Sequence, residues 1–157
     1  MRLQLDFWQY EARLSRWEEG EQVLLYDPIR RRKVAFTPEE WLRQLVVQYL
    51  LKAKNYPPGL MRTEVGLTLN GMPRRCDIVV FDRQLQPWLL VECKSPKIPL
   101  AQSTFEQVAR YNLVFQAPFL AITNGTTTFC AHLNHEHGTF HFLPDFPHYP
   151  PQARATP

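Results

Sequence analysis

The sequence predicts an α/β protein: a mixed sheet laid down in the order αβββαβ, preceded by a small N-terminal β-hairpin region. Three observations predict it. A capped, amphipathic helical pattern covers residues 37–55. Three apolar, strand-like runs follow it between Met61 and Val91. A second helical pattern from about Ala101 to Phe115 then leads into further strand-like runs. Elements in this order give strands covered by helices. We divide the chain into an N-terminal β extension (1–36), a core (37–143) and a proline-rich tail (144–157).

A chain of 157 residues suits one domain with a sizeable core. A hydrophobic share of 45% and a charged share of 21% are those of a globular protein. The net charge of +3 permits nucleic-acid binding without requiring it. No apolar run approaches the roughly 18 residues a membrane span needs, and the N-terminus lacks a signal-peptide layout. Cys76, Cys93 and Cys130 lie in strand-like runs, which points to reduced, buried thiols in a cytoplasmic protein.

Taken in order, Val23–Tyr26 and Val34–Phe36 read as short strands joined across Asp27-Pro28. Between them stand four successive cations, Arg30–Lys33. They form either a solvated loop or a sequence-independent phosphate contact. Thr37 caps the first helix, Pro38 fits its first position, and Glu40 completes a capping box. Leu42, Leu45, Val46, Tyr49 and Leu50 mark the apolar stripe, and Pro57-Pro58-Gly59 ends the element. Arg43 and Gln44 fall on the polar side, as solvent residues rather than site neighbours. Asn70-Gly71 is a hairpin signal, with Met72-Pro73 lengthening the turn beyond two residues. Ile78–Phe81 and Trp88–Val91 read as strands covered on both faces, the latter central. Phe119–Thr123, Thr127–Leu133 and Thr139–Leu143 complete the strands. The tail is irregular.

Four charged residues interrupt the buried strands: Glu64, Asp77, Glu92 and Lys94. A buried carboxylate is costly unless something pairs it. Glu92 and Lys94 are two apart, so they share a strand face. If the strands carrying Asp77 and Glu92 pair, their carboxylates converge and repel. A divalent cation between them relieves that repulsion, and Mg²⁺ suits two carboxylates plus waters. Such an ion activates water and offsets charge on a phosphoryl group, with Lys94 serving the water and the phosphate.

Asp77 with Glu92-Cys93-Lys94 resembles the D…(D/E)xK pattern of the PD-(D/E)xK nucleases. Gln107-Val-Ala-Arg-Tyr111 resembles the QxxxY motif of their RecB-like branch, and i, i+4 spacing puts Gln107 and Tyr111 on one helix face. With Thr37–Gln44, Arg75–Val80, Val91–Pro96, Gln107–Asn112 and Thr123–Gly125, the chain resembles the N-terminal nuclease-like domain of type I restriction enzyme R subunits, in a short stand-alone bacterial form. The resemblance implies a restriction-endonuclease-like αβββαβ core. It implies catalytic Asp77, Glu92, Lys94, Gln107 and Tyr111. Glu64, Asp77, Glu92 and the Cys93 carbonyl would be metal ligands, with Mg²⁺ or its substitute Mn²⁺. DNA would be the substrate, with a restriction or helicase subunit as partner, or a homodimer for double-strand breaks. Two departures stand out: Cys76 replaces the proline before Asp77, and no Walker-type Gly-x-x-x-x-Gly-Lys motif occurs, so no translocase motor is expected.

Other readings exist for single residues. Glu64 suits an edge-strand pair with Arg62 or Arg75, Gln107 an exposed helix position, and Tyr111 a core aromatic. Cys130, His132, His135, His137 and His141 lack the spacing of a zinc finger and read as polar turn residues. Acids flanking Cys93 argue against a thiol nucleophile. The expected function is metal-dependent DNA phosphodiester hydrolysis. The alternative is a catalytically silent nucleic-acid-binding or partner-docking module of the same fold.

Overall fold

The computed structural model describes residues 2–69, 71–112 and 115–150, with the backbone alone for Leu67, Leu69, Met72 and Tyr111. Two sheets organise the chain. The first is antiparallel, from β1 (Arg16–Glu19), β2 (Gln22–Asp27) and β3 (Arg32–Ala35). The second has six strands in sequence order: β4 (Met61–Leu69), β5 (Met72–Phe81), β6 (Pro87–Cys93), β7 (Phe119–Thr123), β8 (Thr128–Asn134) and β9 (Thr139–Phe142). β6 and β7 run parallel and every other pair is antiparallel, so the sheet is mixed as expected. The parallel pair needs a crossover, which α2 (Gln102–Asn112) supplies.

Helix α1 (Pro38–Lys52) covers one face of the large sheet and α2 the other. Around α1, Leu42, Leu45, Val46 and Leu50 pack with Met61, Ile78, Val80 and Val91. Around α2, Phe105, Val108 and Ala109 pack with Cys76, Val79, Leu90, Leu120 and Ile122. The central strands are covered on both sides, which is why Ile78–Phe81 and Trp88–Val91 are continuously apolar.

Helix α1 starts as its cap residues dictate: the Glu40 N–H donates to Thr37 Oγ1 at 3.0 Å, and Pro38 opens the first turn. The Glu40 carboxylate does not close a capping box. It pairs with Arg30 and Arg43 instead. The helix is also buried on more faces than its apolar stripe suggests. Arg43 is 7% exposed and Gln44 is fully buried, which overturns their expected place in solvent. Segments next to the small sheet reach α1 there: Arg30, in the β2–β3 turn, pairs with Glu40, and Phe36, just after β3, lies against Trp41. A 3-10 helix (Trp8–Arg13) closes a further side, with Phe7 and Tyr10 set edge-on to Tyr49.

The β4–β5 turn differs from expectation. Leu69 pairs with Met72, so the connection has two residues, and Pro73 stands in the ladder opposite Thr68. Proline is tolerated there because β6 pairing begins only at Ile78. Asn70 itself lies outside the described residues. The tail packs irregularly as far as Pro150: Tyr49 Oη donates to Asp145, Tyr56 Oη to the Pro147 carbonyl, and Tyr149 Oη to the Phe81 carbonyl. Residues 151–157 lie outside the described part. No helix among the described residues is long and apolar enough to cross a membrane.

Candidate functional site

The three predicted acids form one row across the large sheet. Pairing passes from Thr63–Ile78 to Val65–Cys76, which sets Glu64 opposite Asp77. The β5–β6 ladder ends at Ile78–Val91, which sets Asp77 opposite Glu92. The row therefore lies where the ladders break. The Cys93 N–H donates to Asp77 Oδ2 at 2.8 Å in place of a backbone acceptor.

The break also changes which way the strands face. Met61 packs on the α1 side, but Val65, on the same side by alternation, packs on the α2 side. In β5, Ile78 packs on the α1 side and Cys76 on the α2 side. Both strands slip by half a pleat at the row without adding a residue, so this is not a bulge. Glu64 absorbs the slip with φ 50, a left-handed conformation that costs a non-glycine residue on the order of 1 kcal/mol. As a result, Glu64 and Asp77 both reach the α1 side.

On that side a chain of charge runs through buried and half-buried positions. Arg43 Nη2 lies 2.8 Å from Asp77 Oδ1 and 3.4 Å from Glu64, and Arg43 also pairs with Glu40. Arg30 holds Asp27 at 2.5 Å and Glu64 at 3.4 Å, and closes on Glu40 as well. Thr63 Oγ1 donates to Asp27 at 2.7 Å. Burial pushes the Asp27 carboxyl up. Arg30, Thr63 and the Ile29 and Arg30 N–H groups outweigh that and hold it below its ordinary value. Burial would lower the Arg43 guanidinium, but Asp77 and Glu40 raise it. Four carboxylates (Asp27, Glu40, Glu64, Asp77) face two guanidinium groups (Arg30, Arg43), so the cluster carries a formal −2.

Glu92 alternates with Val91 and so falls on the α2 side, where Arg74 approaches it at 3.3 Å. Burial and then the Asp77 charge push its carboxyl up to about 7, against the pull of Arg74 and Lys94. Lys94 is half-buried at the end of β6, and its backbone N–H donates to the Thr123 carbonyl at 2.8 Å. Burial, then Asp77, push the Cys93 thiol well up, so no thiolate nucleophile forms there. Gln107 is exposed on α2. The Tyr111 side chain lies outside the described residues.

The oxygen donors of Asp77 and Glu92 suit a hard divalent ion that keeps most of its waters. Burial, and then the Asp77 charge, drive Glu92 towards protonation, yet Asp77 reaches the α1 side and Glu92 the α2 side, so the expected convergence of the two carboxylates is not formed in this arrangement. A ready cage does not exist: among the described residues, no three His, Cys, Asp or Glu side chains gather closely enough to hold a metal. That covers Cys130 and the histidines too, although His132 and His141 face each other across β8 and β9.

Asp27, Arg30, Glu40 and Arg43 are the residues that sequence reasoning missed as site neighbours. The i, i+3 spacings of Glu40 with Arg43 and of Asp27 with Arg30 are the local signals for them. Nothing local ties Arg30 to Glu64.

A mixed sheet in this order, with an acid row at one strand end and a lysine two residues beyond it, is the plan of a nuclease-like domain. The chain belongs to the family described as type I restriction enzyme R protein N terminus, whose family model matches residues 38–147. Membership ties it to restriction–modification in general. No curated protein matches the chain.

Proposed function

We propose that the chain is a metal-dependent nuclease that hydrolyses DNA phosphodiester bonds. The observation that carries the reading is the acid row. Asp77 and Glu92 oppose each other at a broken ladder, and burial, then the Asp77 charge, press Glu92 towards its neutral form. Asp77 and Glu92 would hold Mg²⁺ or Mn²⁺, with the Cys93 carbonyl as a further ligand and Glu64 in support. The bound ion supplies a water of lowered pKa and offsets charge on the phosphoryl oxygens. Lys94, on the Glu92 side, holds the water and the scissile phosphate. Gln107 and Tyr111, together on one face of α2, position the phosphate. Arg43 orients Asp77. A second copy of the chain would supply the second cut of a double-strand break, and a restriction or helicase subunit would be a further partner in the cytoplasm.

A second reading is a silent DNA-binding or docking module. One observation favours it: Glu64 and Asp77 already have guanidinium partners. Plasmid cleavage with Mg²⁺ or Mn²⁺ separates the two. The wild type should nick DNA, and Lys94→Ala should lose about 10²-fold or more in rate while binding DNA as before. Equal binding by both proteins, with cleavage by neither, would establish the silent module.

A further inference from the structure

The four-cation run lies outside the family match, and the structure divides it. Its ends are used internally. Arg30 serves Asp27, Glu40 and Glu64, while Lys33 pairs with Glu19 at 2.5 Å and lies over the Trp17 ring. Its middle is not. Arg31 and Arg32 are exposed, and neither makes an ion pair among the described residues. Arg31 sits at the turn with φ 55, a conformation that glycine or asparagine adopts more readily. A turn that had only to reverse the chain would be better served by glycine. This one keeps a guanidinium at its tip.

The turn separates two concavities. One, of about 340 Å³, runs from Arg32 and Lys33 to Arg43 and Glu64 of the acid cluster. The other, of about 320 Å³, is lined by Arg31 and Arg62. Glu39 lies on the first, and Glu40 and Glu64 there are already paired. Arg62 donates to the Gly59 and Met61 carbonyls but, like Arg31 and Arg32, pairs with no carboxylate among the described residues. Neighbouring cations without a counter-charge repel one another, and a polyanion relieves that repulsion while releasing its own counterions. We propose that this turn, through Arg31, Arg32 and Arg62, is the surface that carries the phosphate backbone of duplex DNA towards the acid row. The choice of ligand rests on the nuclease reading, but the claim concerns binding alone.

The test is fluorescence anisotropy with a labelled DNA duplex over a salt series, in chelator so that cleavage does not intrude. The variant is Arg31→Gly with Arg32→Gln. Its affinity should fall about tenfold at low salt, and its log–log salt slope should become shallower by about 1.8, or 0.9 for each phosphate that is no longer neutralised. Its melting temperature should hold or rise, since Arg31→Gly relieves the backbone. Arg13→Gln with Lys52→Gln removes the same charge from exposed positions elsewhere and should leave the slope unchanged. Wild-type binding by the turn variant, or equal weakening of both variants, overturns the proposal. A wild type that binds duplex but never cuts it counts against the nuclease reading alone. A wild type that binds no duplex overturns both.

Discussion

Replacing Arg43 with methionine tests whether a guanidinium holds the place of a cation in the acid row. The side chain is 8% exposed, and its partners Glu40 and Asp77 are 7% and 20% exposed. Removing one member of a buried ion pair costs about 3–5 kcal/mol. Glu40 keeps Arg30, and Asp77 keeps the Cys93 N–H, so the lower end applies. The pair with Glu64, which is 32% exposed, adds little. A loss of about 3 kcal/mol lowers the melting temperature of a domain this size by about 6–12 °C. Scanning calorimetry with and without Mn²⁺, at fixed ionic strength, checks the rest. An ion at a hundred times its dissociation constant contributes about 2.7 kcal/mol. Mn²⁺ should therefore recover most of the loss in the variant and shift the wild type much less, because Arg43 competes there. A variant that melts with the wild type refutes the stabilising pair. Equal Mn²⁺ shifts in both proteins refute the shared place.

Two further substitutions probe the row and its support. The Glu92 carboxyl sits near 7 in the folded chain against an ordinary 4.5, so the native state binds more protons between those values. Stability should then fall as pH rises from about 4.5 to about 7 and level off above. Glu92→Gln should remove that slope and be more stable than wild type above pH 7 by up to about 3 kcal/mol, read by urea unfolding at several pH values. An unchanged slope would assign the dependence elsewhere. Gly125 has φ 93, and an added Cβ would lie 2.9 Å from Trp8 Cζ2 and 3.1 Å from Leu42 Cδ1. Gly125→Ala should cost about 2–3 kcal/mol and alter tryptophan emission, whereas a change under about 0.5 kcal/mol would contradict the close approach.

The row was legible only as two acids on neighbouring strands. The register shift between Val80 and Phe81 is what sets Asp77 opposite Glu92 rather than Val91, and nothing in the hairpin length announces it. The Asn70-Gly71 signal was stronger than the proline after it suggested, because Pro73 needs no donor at that end of the ladder. The surroundings of Arg43 were not legible. An amphipathic stripe reports only what one face of a helix touches, and Arg30 and Phe36 reach the helix from segments distant in sequence. Asp27 and Arg30 reach the site through tertiary contacts with Glu40, Thr63 and Glu64, which leave no periodic trace. The left-handed Glu64 has no cue of its own either, since glutamate is not a residue that announces φ > 0.

The half-pleat slip at Glu64 and Asp77 separates register from facing. Both strands keep the partners that an uninterrupted ladder would give them, yet the hairpin turns a different side to each helix beyond the row. The two helices therefore read the same hairpin in opposite phase. Residues on either side of the seam answer to different cores, and the acids at the seam answer to neither. They are held by guanidinium groups and, for Asp77, by the Cys93 N–H rather than by apolar packing.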